Sequence, residues 1–241
     1  AFHIMLGDTI YADQGWPATD LNGFRRKYHE TLSDPAIRRL QQVTSIYAIW
    51  DDHEVTNDFD STCPLLPAGR QAFFEHWPIR RSPDEPNRLY RSFRWGKLVE
   101  VFILDTRQYR SPYTMPDGPV KTMLGLDQAR WLRRGLQESD AVFKFVVSSG
   151  PLRYALSDTW PYYSFERDSL LRFILRSEIA NVIVIAGDVH YAAVVNHPEG
   201  IIGVSAGPLG HRNHNAAHLR GLPEVEFAYD GGVNFGMVQV E

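Results

Sequence analysis

At 241 residues, 44% of them hydrophobic and 12% aromatic, the chain has the make-up of one large globular α/β domain, not of a disordered segment. A formal net charge of −4 gives no basic field for nucleic acid, and no apolar run approaches the roughly 18 residues of a membrane span. The single cysteine, Cys63, excludes an internal disulfide framework and a cysteine-based zinc site. The chain opens on Ala1 inside an apolar run and closes on Glu241 inside another. It is therefore expected to be a piece of a longer chain, cut at both ends, and no signal peptide is visible.

In chain order, residues 2–6 read as a strand that runs into Gly7-Asp8-Thr9-Ile10-Tyr11. A helix is predicted over 21–31, where Arg25-Arg26-Lys27 reads as a solvated face. Ser33-Asp34-Pro35 then starts a second helix over 36–43, with Ile37 and Leu40 inward. Residues 45–49 form a strand that ends in Trp50-Asp51-Asp52-His53-Glu54. A polar loop follows, then a helix over 67–76 stopped by Pro78. Gly96-Lys97 joins strands 89–95 and 98–105 in a hairpin. Asp127 is expected to cap a helix reaching Ser139, with Ala129, Leu132 and Leu136 on one face. A strand over 143–149 and an amphipathic helix over 164–177, through Leu170, Leu171, Ile174 and Leu175, come next. The strand over 181–186 delivers Gly187-Asp188-Val189-His190, and shorter strands are predicted over 192–196, 201–205 and 234–240. No repeat or linker interrupts this order, so a single domain spanning 1–241 is expected, built as a layered α/β sandwich.

Three strand ends thus carry acid together with His or Tyr. In α/β sheets ligands gather beyond the carboxyl ends of strands. Crowded carboxylates repel one another and resist burial unless a cation compensates them. Asp8 with Tyr11, Asp52 with His53, and Asp188 with His190 form an oxygen-rich set suited to a pair of cations. Asp and His of Gly187–His190 would share one side of an extended segment. Such a pair can activate water and clamp an in-line displacement at phosphorus, and no G-x-S-x-G elbow, P-loop or G-x-G-x-x-G competes with that reading. Asp105 and Arg107 read as an ion pair with each other. His211, His214 and His218, at helical i, i+3, i+7 spacing, allow a metal site, but a solvated or substrate-edge loop is the preferred reading. The loops around Trp16, Tyr113, Trp160 and His211 are expected to shape the substrate pocket.

The stretches Gly7-Asp8-Thr9-Ile10-Tyr11-Ala12-Asp13, Trp50-Asp51-Asp52-His53-Glu54-Val55, Phe74-Glu75-His76-Trp77-Pro78-Ile79-Arg80, Leu104-Asp105-Thr106-Arg107-Gln108-Tyr109-Arg110, Gln128-x-x-Trp131-Leu132 and Gly187-Asp188-Val189-His190, in this order, resemble the PhoD-type alkaline phosphatases of the calcineurin-like metallophosphoesterase superfamily. The resemblance implies a four-layer αββα sandwich with mixed sheets. It also implies hydrolysis of phosphate monoesters or diesters by a metal-bound hydroxide at a binuclear or trinuclear centre of Fe3+ and Ca2+. Asp8 would bridge the metals, Tyr11 would supply a phenolate, and Asp52, Asp188 and His190 would be further ligands. His53 would contact phosphate and protonate the leaving group. The family places another iron ligand upstream of Gly7, outside this sequence. A small phosphorylated substrate and a secreted, periplasmic or cell-surface location are implied as well. The alternative is a degenerate, non-catalytic relative serving as a binding or scaffold module; hydrolysis of carboxylic esters or amides fits the carboxylate-heavy set less well.

Overall fold

The structure, a computed structural model, describes residues 1–155 and 158–241. β1 (Phe2–Leu6) and β2 (Ser45–Ile49) pair in parallel as a two-stranded sheet. The second sheet has seven strands in the order β3 (Arg91–Trp95), β4 (Val99–Ile103), β5 (Phe143–Ser148), β6 (Val182–Ala186), β8 (Ile202–Ser205), β7 (Ala192–Asn196) and β9 (Val225–Tyr229). Pairing is parallel from β4 through β5 and β6 to β8, and antiparallel at β3, β7 and β9.

Side-chain alternation stacks these sheets into four layers. On β4, Val101 and Ile103 face one way and Phe102 the other; on β1, Ile4 and Leu6 are separated from Met5 in the same manner. Ile4, Leu6, Tyr47, Ile49, Val101, Ile103, Phe145 and Val147 fill the space between the sheets. The outer face of the small sheet packs Met5 and Ala48 under α1 (Leu21–Leu32) and α3 (Leu66–His76), which bring Phe24, Tyr28 and Phe73. The outer face of the large sheet packs Phe102, Val146 and Val184 under α4 (Gly125–Glu138) and α5 (Ser164–Arg176). The expected αββα sandwich is therefore the observed one.

Several local expectations change. α2 (Pro35–Val43) starts on the Asp34 cap as predicted, but none of its residues is buried, so Ile37 and Leu40 are only half covered. Asp127 lies inside the first turn of α4, whose cap position is Leu124. Leu175 is exposed on α5 because the sheet-facing stripe is already filled by Leu170, Leu171 and Ile174. Residues 234–240 form no strand; the last strand is β9. Lys27 is buried: its ammonium donates to the Gln14 carbonyl (2.6 Å) and lies 4.1 Å from the Trp16 ring centre, so it holds the loop after β1. Among the described residues no helix is long and apolar enough to cross a membrane.

Candidate metal centre

The carboxyl ends of β1, β2 and β6 meet where the two sheets touch. A Cβ on Gly187 would stand 2.9 Å from the Leu6 carbonyl, and one on Gly7 would stand 2.6 Å from Asp51 Cβ, so neither position has room for a side chain. Both turns bend through left-handed backbone at a non-glycine residue: φ is 52° at Asp8, 66° at Asp188 and 53° at His190. Such conformations cost about 1–3 kcal/mol each and persist only where surrounding contacts enforce them. Asp188 and His190 are thus set by a tight turn, in which Val189 donates its N–H to the Gly187 carbonyl (2.8 Å), and not by the extended segment the sequence suggested. Glu54, fully buried, enforces the first turn by accepting backbone N–H groups from Asp8 (2.9 Å), Thr9 (2.6 Å) and Asp51 (2.7 Å).

Ligand atoms of Asp8, Asp52 and His53 lie within 4.8 Å of one another, and so do those of Asp51, Asp52 and Asp188. A third group, Asp52, Asp58 and Asp158, shares the same Asp52. Burial, then the Asp51 and Asp52 charges, pushes the Asp8 and Asp188 carboxyls well above the usual carboxylate range. Glu54 is pushed up to about 8 by burial, against its three backbone donors. The set is short of positive charge on the Asp8 side, where Asp8 Oδ1 is buried without a hydrogen-bond partner. An oxygen-rich donor set with an orphaned carboxylate oxygen fits a hard cation. Asp8 and Asp188 line a cleft of about 870 Å3 together with Tyr11, His190 and His211.

Two imidazoles flank the set. His53 Nδ1 lies 2.7 Å from Asp13 Oδ1, while Asp13 Oδ2 accepts the Asn57 N–H (2.7 Å). Burial opposes the charged imidazole, but the Asp13 hydrogen bond and the Asp52 charge outweigh it, and the His53 pKa is raised. The second imidazole, His190, joins none of the three groups. Its Nδ1 faces the Arg212 carbonyl (3.1 Å) and its Nε2 the Tyr11 hydroxyl (3.2 Å). A proton on Nδ1, donated to that carbonyl, leaves Nε2 its lone pair. Burial, then His214 and His211, lowers the His190 pKa to about 4, which keeps the ring neutral, as a ligand must be. The Tyr11 ring lies between His53, centres 4.3 Å apart, and His211, stacked at 4.9 Å. Residues 211–216 are not helical, so His211 and His214 pack around His190 while His218 turns away to the Tyr154 carbonyl.

Arg107 does not pair its guanidinium with Asp105. It reaches Asp51 and Asp158, while Asp105 accepts from the Trp50 indole (2.9 Å), from Gln108 and from the Arg107 backbone N–H. Trp160 does not shape the cleft: it is core, its indole donating to Ser148 Oγ (2.9 Å). The sequence reading singled out no role for Asp13, Glu54, Asp158 or Arg110. Asp13 and Glu54 stood inside the recognised motifs, but spacing alone does not say which of several adjacent acids faces a given partner. Asp158 stands in a loop with no motif around it.

Known proteins resemble this chain in sequence and in fold. Residues 1–217 match the family described as PhoD-like phosphatase. Alkaline phosphatase D of Bacillus subtilis (strain 168) is 31% identical over 206 residues, covering 70% of this chain and 35% of the relative. The chain thus spans about a third of that protein's length. A solved structure titled "Structure of PhoD" superposes with a TM-score of 0.82 at 24% identity, over 94% of this chain and 56% of the other.

Proposed function

The chain belongs to the PhoD-like phosphatase family, and we propose that it is a metal-dependent phosphoesterase acting on small phosphate monoesters or diesters at the centre built on Asp8, Asp52 and Asp188. The observation that carries this reading is convergence: acids from three strand ends, far apart in sequence and drawn from both sheets, lie with Asp8 and Asp188 each within 4.8 Å of Asp52. Asp8, Tyr11, Asp52, Asp188 and His190 would hold two or three cations, Fe3+ and Ca2+ by family resemblance. When bound, such cations lower the pKa of water and neutralise charge on phosphate oxygens.

The chain's own residues account for the rest. Asp13 holds one proton of the His53 ring at Nδ1, so Nε2 is the atom that delivers a proton to the departing alcohol oxygen as the phosphorus–oxygen bond breaks. The raised His53 pKa favours the protonated ring that such a donor needs. A positioned acid of this kind contributes roughly 10²–10⁴ in rate.

Asp8→Asn and Asp188→Asn in the purified protein, assayed on a chromogenic phosphate monoester and diester with metal content measured in parallel, test the proposal. Loss of hydrolysis together with bound metal is the expected result. Hydrolysis and metal content retained in both variants would overturn it. A wild-type protein that binds metal stoichiometrically but cleaves neither ester would favour the scaffold reading.

A further inference from the structure

The three acid groups that share Asp52 are not equivalent, and one side chain separates them. Arg107 is 1% exposed and enters from the turn after β4. Its Nε donates to Asp51 Oδ1, its Nη1 donates to Asp158 Oδ2, and its Nη2 stands 4.0 Å from Asp52 Oδ1. Arg110 completes this side: its Nη1 lies 2.6 Å from Asp158 Oδ2 and 2.9 Å from the Asp158 carbonyl, and its Nη2 donates to the Asp58 carbonyl (2.5 Å). The Arg107 guanidinium therefore stands between the group Asp51, Asp52, Asp188 and the group Asp52, Asp58, Asp158. A guanidinium never loses its proton in a protein, and its planar fork holds two carboxylates in fixed directions. A dissolved cation competes poorly for acids already engaged in this way. Asp51 Oδ2, buried and unpartnered, is the oxygen this arrangement leaves over.

We propose that Arg107 is a positioning residue of the centre: its guanidinium occupies the place a further cation would take between Asp51, Asp52 and Asp158, and so confines metal to the Asp8 and Asp188 side of Asp52. The proposal rests on the metal-centre reading above. It adds that an internal, permanent charge decides which of the crowded acids act as ligands.

Mn2+ titrated calorimetrically into metal-free protein tests it. Arg107→Met is expected to bind one Mn2+ per chain more than wild type, and that added ion should vanish in Arg107→Met/Asp158→Asn. Arg107→Lys, which keeps the charge, should retain the wild-type stoichiometry. Folded Arg107→Met with unchanged stoichiometry, or an added ion that survives Asp158→Asn, would overturn the proposal. If Arg107→Met is unfolded without metal, Mn2+ should restore its circular dichroism, and Asp51→Asn/Arg107→Met/Asp158→Asn should fold without Mn2+; failure of both would also overturn it. A wild type that binds no Mn2+ refutes the metal-centre reading instead, whereas the single ion gained by Arg107→Met is read independently.

Discussion

The turns at Gly7-Asp8 and Gly187-Asp188 present the same two residues from opposite sheets, and they are held in place differently. The second turn leaves the middle of a seven-stranded sheet. Its neighbours hold it mainly through backbone: Gly187 donates to the Ser149 carbonyl (2.8 Å) and Ala206 donates to the Ala186 carbonyl (3.3 Å), with the His214 ring hydrogen-bonded to the Val189 backbone. The first turn leaves a sheet of only two strands, and every residue of β1 is only half-buried. There a side chain takes over the role of a neighbouring strand, as Glu54 gathers three backbone N–H groups with one carboxylate. A wide sheet positions a functional acid with main chain; a narrow one needs a dedicated buried acceptor.

Removing that acceptor should break the comparison most strongly. Glu54→Ala leaves three buried N–H groups unsatisfied, at about 1–3 kcal/mol each. A loss of about 3 kcal/mol or more in unfolding free energy is expected from denaturant melts, with no such cost for a polar substitution beside Asp188. Glu54 also has a pH signature. Its folded pKa, about 8, lies above the ordinary value of 4.5, so the native state holds the extra proton between these limits. Metal-free protein should lose stability as pH rises through that window, and Glu54→Gln should flatten the slope.

The far end of the large sheet has the opposite sign. β7 runs away from the centre and is followed by His197, which is 6% exposed. Burial first, then Arg153, lowers its pKa from 6.5 to about 4. Here the unfolded chain binds the proton more tightly, so stability falls as pH drops from 6.5 to about 4. The loss should amount to about 2–3 kcal/mol, and His197→Phe should remove it from melts at pH 7 and pH 5.

Gly187→Ala sharpens the comparison at the contact between the sheets. The added Cβ meets Leu6 at 2.9 Å, and about 1–3 kcal/mol should be lost to overpacking, read as a lower melting midpoint. Asp13→Asn should have the smallest effect, one on chemistry and not on folding. The His53 ring loses its anionic anchor, and kcat should fall about tenfold to a hundredfold with metal content unchanged.

The layered class was legible from the order of elements, and its four layers from the family resemblance; β4, β5 and β6 are apolar on both faces, so which residues enter which core shows only in the structure. The three loaded strand ends were legible because a buried strand that stops in Asp-Asp-His or Gly-Asp leaves its polar cargo no place but the end of the sheet. What stayed hidden was partner choice. Asp51, Asp52 and Glu54 differ by one to three positions yet face an arginine, a shared acid group and three backbone donors respectively. Those fates follow from where Arg107, after β4, and Asp158 arrive in space. The stretch holding His211 and His214 is a loop, as its sequence suggested, but that both imidazoles wrap around His190 is a choice of partner that spacing along the chain does not name.

The most direct measurement is a proton count. Asp8 and Asp188 hold their protons abnormally tightly in the absence of a cation, because they are buried beside other acids. Mn2+ added to metal-free protein in weak buffer near pH 7 should bind stoichiometrically and release protons, and Asp8→Asn/Asp188→Asn should lose both responses. Binding without proton release, or the same response from the double variant, would contradict the claim that these acids are gathered to share cations.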